Sequence, residues 1–218
     1  MGYEYPAIYN FPPFFTKQPN RDTYESQLEQ WKEVILGYCK YNRVWALSNS
    51  GMKVGSEIEA DFEDDIEDDD ETEAEAEAEA NVEGATVSGD DNIFRNDGIK
   101  RHANAEFIRD IYTFLVSERC AEWVGDDKDK NHNHGIYVLW HSIEEWAQMI
   151  YEWVDNTGQT GTIMTLYELR RGELAAREEF YGMHYDILVK VLNTLVKQGK
   201  AALMKDEDGK IGGVKFGS

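Results

Sequence analysis

Apolar positions fall in two similar series along the chain. The first begins with Leu28, Trp31, Ile35, Tyr38 and Cys39, three or four residues apart, which predicts a helix over Gln27–Tyr41. Asp22-Thr-Tyr-Glu25 supplies a cap at its start. Arg43–Leu47, with Val44 and Trp45, reads as a short strand, and Asn92–Asp97 as a turn or short helix. Phe107, Ile108, Ile111, Phe114 and Leu115 give Asn104–Ser117 one apolar helical face. Ala121–Val124 and Ile136–Trp140 then read as a hairpin around the polar tip Gly125–Gly135.

The second series repeats that order. Ser142-Ile-Glu-Glu145 is a capping box, and Ile143, Trp146, Met149, Ile150, Trp153 and Val154 line one side of the helix it opens. Thr162–Met164 is extended. Thr165-Leu-Tyr-Glu168 is a second capping box, before a short helix. His184–Gln198 carries Ile187, Leu188, Val191, Leu192, Leu195 and Val196 in helical register, with Gly199 placed to terminate it. Ala201–Met204, the turn Asp206–Gly209 and Val214–Phe216 form a closing hairpin.

Helix, short strand, short helix, long helix and hairpin is the winged-helix plan. The fold class is therefore α+β, mainly helical, with two tandem winged-helix domains over 21–141 and 142–218. From Ile143 to His184 is 41 residues; from Gln27 to Asn104 is 77, and removing the 41 residues Val54–Phe94 leaves 36. That stretch reads as an insertion in a surface loop, where added length costs little. The joint near His141–Ser142 holds no Gly/Pro linker, so the domains should abut rigidly.

Residues 1–20 are a different kind of object. All four prolines, Pro6, Pro12, Pro13 and Pro19, lie there, and so do Tyr9, Phe11, Phe14 and Phe15. Prolines fix φ and remove backbone donors, which excludes α-helix and central strand. An extended, stiffened aromatic leader is suited to a groove, either a partner's or its own domain's.

Charge sharpens the division. The formal net charge is -21, yet Val54–Phe94 alone carries 18 acidic residues and no lysine or arginine. The remainder holds 25 acidic against 22 basic side chains. The stretch, with its Glu73–Ala80 alternation, is expected to be disordered, because high charge with few apolar residues leaves little to bury. A near-neutral body gives no electrostatic footprint for nucleic acid or anionic lipid. The predicted third helices offer only Arg109, Lys190 and Lys197, offset by Glu106, Asp110 and Asp186. One alternative is a winged-helix nucleic-acid-binding transcription regulator, which this charge pattern disfavours, and a weaker one is a chaperone of histones or other basic partners acting through the acidic insertion.

Catalytic constellations are few. His132-Asn-His134 with Asp126, Asp127 and Asp129 could clip a metal, but a polar wing tip explains the spacing as well. No phosphate loop or nucleophile–base grouping stands out. Cys39 and Cys120 show no metal spacing and read as reduced, buried thiols of a cytosolic protein. No signal peptide or transmembrane run is visible. The chain reads as a non-enzyme without cofactors.

Particular residues resemble a known family. They are Phe11-Pro-Pro-Phe-Phe-Thr-Lys-Gln-Pro-Asn20; Trp31 and its helix to Tyr41; Glu144–Val154; Thr165-Leu-Tyr-Glu-Leu169 with Gly172-Glu173; Glu179-Phe180 with Gly182; and Gly213-Val-Lys-Phe216. Together they resemble the small tandem winged-helix subunit family of the endosomal sorting complex ESCRT-II. The acidic insertion departs from the family pattern. The resemblance implies docking onto the two larger ESCRT-II subunits through the N-terminal part, with Phe11, Pro12, Pro13, Phe14 and Phe15 as partner-binding residues. It implies two copies of the chain per complex, recruitment of the ESCRT-III nucleating subunit through 142–218, and sorting of ubiquitinated cargo into multivesicular bodies. Membrane contact would be indirect, through partners on the endosome. On that reading, alanine at Phe14 and Phe15 should leave the domain folded and abolish assembly.

Overall fold

The computed structural model describes residues 2–54, 92–125, 134–206 and 209–217. The expected disorder of the acidic stretch and the candidate metal clip up to Asn133 fall on 55–91 and 126–133, outside the described residues. The ends of the acidic stretch are part of the fold. Met52 bridges Asn92, Ile93 N–H donates to the Gly51 carbonyl at 3.2 Å, and Ile93 and Phe94 are buried.

The first half runs α1 (Arg21–Asn42), β1 (Ala46–Leu47), β2 (Arg95–Asn96), β3 (Arg101–His102), α2 (Ala105–Ser117), β4 (Ala121–Trp123) and β5 (Ile136–Val138). The second runs α3 (Ile143–Asn156), β6 (Ile163–Thr165), α4 (Leu166–Arg171), α5 (Tyr185–Lys197), β7 (Ala201–Lys205) and β8 (Ile211–Phe216). Both capping boxes form, at Ser142–Glu145 and Thr165–Glu168.

Each half builds a three-stranded antiparallel sheet of the same plan, β1-β5-β4 and β6-β8-β7. In each, the strand that follows the first helix lies beside the second hairpin strand. Two differences from the sequence reading concern the first half. Helix α1 starts at Arg21, because Asn20 rather than Asp22 is the cap: its Oδ1 accepts the Thr23 N–H at 3.1 Å. Of the turn and the short helix open to Asn92–Asp97, the turn forms, at Ile93 and Phe94, and it leads into a tight β2–β3 hairpin that the sequence reading lacked. The buried Asn96 organises that hairpin, accepting from Ile99 N–H at 3.3 Å while its amide reaches back to the leader.

The two hydrophobic cores meet at one sheet. Leu47, Ile136 and Val138 face the core built on α1 and α2. Ala46, Tyr137 and Leu139 face the core built on α3 and α5. Successive strand residues point to opposite faces, so Ile136–Trp140 is apolar throughout because both faces are covered. Trp45 joins the second core as well, its ring 4.2 Å from Trp140 and 5.4 Å from Trp146. Across the same junction Glu179 accepts from Lys40 at 3.0 Å and from the Trp140 indole at 2.9 Å, and Lys190 pairs with Glu122.

A sheet common to both cores should couple their unfolding. Trp45→Ala should cost about 3–5 kcal/mol. Hydrogen exchange should then show α1 and α5 amides losing protection together; loss confined to one half would contradict the coupling.

Candidate functional site

The leader is wound onto its own domain. Ala7–Asn10 and Pro12–Phe15 each form a 3-10 turn, where extended chain was expected. The prolines permit this: their fixed φ suits the first turn, and their missing donors are ones such a turn leaves unpaired anyway. Phe14 N–H donates to the Phe11 carbonyl at 2.9 Å, and Thr16 N–H to Pro13 at 3.1 Å. The turn separates two sets of side chains. Phe14 and Phe15 point inward and are buried, whereas Phe11 is 53% exposed and Pro12 and Pro13 are exposed.

The inward set packs around Trp31, which has no exposed surface. Phe14 stacks on the indole with ring centroids 4.3 Å apart and an angle of 11°. Phe15 meets it edge-on at 5.4 Å, and Tyr9 meets Phe15 at 5.3 Å. Such aromatic pairs add to the burial of their area. The Trp31 indole N–H donates to the Phe14 carbonyl at 3.1 Å. The buried Gln27 amide donates to Phe14 and Thr16 carbonyls at 2.9 and 3.0 Å. These bonds satisfy leader carbonyls that a strand or helix would otherwise pair.

Tyr9 anchors the other turn. Its hydroxyl lies 3.0 Å from the Ile93 carbonyl and 2.9 Å from that of Arg95, and Asn96 donates to the Tyr9 carbonyl at 2.8 Å. Lys17 closes the leader onto α2 through Asp110 at 2.6 Å, where the Tyr24 hydroxyl also donates at 2.7 Å. Burial pushes the Asp110 carboxyl up, but the Lys17 and Tyr24 hydrogen bonds outweigh it and hold it below the ordinary range.

The structure therefore divides the five residues that the resemblance names. Phe14 and Phe15 belong to the domain's own core, so the expected folded double-alanine protein conflicts with where they sit. Phe11, Pro12 and Pro13 form an outward ridge over that core. Sequence reasoning did not single out Gln27 and Asn96, whose polar side chains bind leader backbone by contacts distant in sequence. It also passed over Arg95 and the run Lys100-Arg-His102, which the β2–β3 hairpin brings to the lining of one cleft. That run was legible as a basic cluster, although it lay outside the predicted recognition helices. The Cys39 thiol is buried and pushed up by burial, and Cys120 is partly exposed; both are free.

Among the described residues no His, Cys, Asp and Glu group is arranged to hold a metal, and no helix is long and apolar enough to cross a membrane. Two helix-and-hairpin halves joined at a common sheet, with an aromatic leader strapped across one, define a tandem-module binding protein. The family of ESCRT-II complex subunits matches residues 8–184, and the chain belongs to that family. It is 32% identical over 216 residues to vacuolar protein-sorting-associated protein 25 of Danio rerio, covering 99% of each chain. The Saccharomyces cerevisiae protein of that name is 27% identical, with 96% of this chain and 97% of the relative covered. The crystal structure of subunit VPS25 of the endosomal trafficking complex ESCRT-II superposes with a TM-score of 0.75 at 26% identity, covering 97% of this chain and 98% of the other. A chain of the endosomal complex ESCRT-II (VPS22/VPS25/VPS36) gives 0.71 at 26% identity, covering 97% of each.

Two consequences are measurable in the isolated protein. Phe14→Ala should lower stability by about 3–5 kcal/mol, and Phe11→Ala should stay within about 0.5 kcal/mol in chemical denaturation. Because the folded Asp110 carboxyl is depressed, its contribution is present above the unfolded carboxylate range near pH ~4 and is lost as pH falls through the folded value. Asp110→Asn should flatten the acid limb of the stability profile; an unchanged limb would contradict that role.

Proposed function

We propose that this chain is the small, non-catalytic subunit of ESCRT-II, acting by protein–protein contact in endosomal sorting. The observation that carries the reading is the outward ridge Phe11-Pro12-Pro13, held rigid by Phe14 and Phe15 beneath it. The backbone of the ridge is already ordered by its prolines and by the turn they open, so binding orders little more than the Phe11 side chain. Its seat is a groove on the larger subunits, the counterparts of VPS22 and VPS36 in the solved complex. Phe14 and Phe15 act in this binding as supports for the ridge. As in the family, two copies of the chain would serve each complex.

The second half, 142–218, is proposed to recruit the nucleating subunit of ESCRT-III. Ile163, Tyr167, Leu174 and Met204 support this by keeping apolar surface in water there, as binding surfaces do. Membrane residence on the endosome would come through partners. A nucleic-acid role gains no support from the helices, since Lys190 of α5 is paired with Glu122 and Arg109 of α2 lies between Glu106 and Asp110.

Co-expression with the two larger subunits tests the ridge. Phe11→Ala with Pro12→Ala should reduce co-purification at least tenfold, about 1.4 kcal/mol, while the melting temperature of the isolated chain stays unchanged. Full assembly by this variant would remove the ridge from the interface.

A further inference from the structure

A cleft of about 760 Å³ opens between the β2–β3 hairpin, the loop after β1 and the start of α2. Its volume lies in the range of small-ligand sites, about 300–1,000 Å³. Arg95, Asp97, Lys100, Arg101 and His102 line it, together with Asn49 and Ala105. Arg95 is paired with Asp97 at 2.7 Å. Lys100, Arg101 and His102 are exposed and form no ion pair with the described residues. Ala105 opens a helix of 13 residues, so the partial positive charge of its N-terminal end adds to theirs.

Lys100 and Arg101, which pair with no carboxylate among the described residues, repel one another, and an anion between them relieves that repulsion. Arginine in particular presents a planar fork matched to phosphate oxygens. Lys100 and Arg101 both line the cleft beside the start of α2, so a ligand carrying several phosphates engages more of this charge than a single phosphate does. We propose that this cleft binds a polyphosphorylated small molecule or lipid headgroup, with Lys100 and Arg101 as its principal contacts.

The test uses the full chain at low salt. Isothermal titration with inositol hexakisphosphate should show binding, with inorganic phosphate at least about tenfold weaker. Lys100→Asn with Arg101→Gln should weaken hexakisphosphate binding at least about tenfold, with the melting temperature and assembly with the larger subunits unchanged. Asparagine tolerates the left-handed backbone at position 100, where φ is 52°. Sedimentation with phosphatidylcholine vesicles containing phosphatidylinositol bisphosphate, but not with plain vesicles, would assign the ligand to the lipid surface. Hexakisphosphate binding without sedimentation would assign it to a soluble compound. Absence of binding beyond a sulfate control, equal binding by the variant, or loss of subunit assembly in the variant would each overturn the proposal.

Discussion

The indole of Trp31 has no surface left to water, and the first half is organised around what touches it. Phe14 and Phe15 come from the leader, Phe94 from just beyond the acidic stretch at 5.0 Å, and Phe107 from α2 at 6.5 Å. Its single polar atom is spent on a leader carbonyl. Three segments far apart in sequence thus converge on one side chain of α1. Because the leader completes this cluster, the residues that face outward from it inherit a fixed position. The exposed ridge is defined by a buried tryptophan that no partner need touch.

The second constraint is the sheet between the cores. A solvent-facing sheet would alternate apolar and polar residues, yet Ile136–Trp140 does not, because each face serves a different half. Polar contacts follow the same seam: Glu179 gathers Lys40, Trp140 and His141, and Tyr137 donates to Asp186. Arg43 lies over the Tyr181 ring at 5.6 Å. The absence of a Gly/Pro linker at His141–Ser142 matches this geometry, since there is no gap to span.

Helices and hairpins were largely legible in the sequence, because Leu28–Cys39, Phe107–Leu115 and Ile187–Val196 repeat at helical spacing and two capping boxes mark starts. The β2–β3 hairpin was not legible. Its strands are two residues each, and what specifies it is the Asn96 side chain satisfied by Tyr9, a contact 87 positions away in sequence. The leader was half legible. Prolines excluded α-helix and strand correctly, but the same fixed φ also fits a 3-10 turn, and only the Trp31 pocket decides between that and extended chain. Hence the five family residues could be named as a group, while their division into inward and outward sets depended on tertiary contacts.

Strand β5 also has a genetic meaning. Positions 136 and 138 report to the core beneath the leader, and 137 and 139 to the core of the second half. Neighbouring codons in this strand therefore serve different modules, and suppressors of a defect at one should cluster in a different half from suppressors at the next. A slip of pairing by a single residue would exchange the two sets outright. The alignment of one three-residue strand thus keeps the two modules distinct.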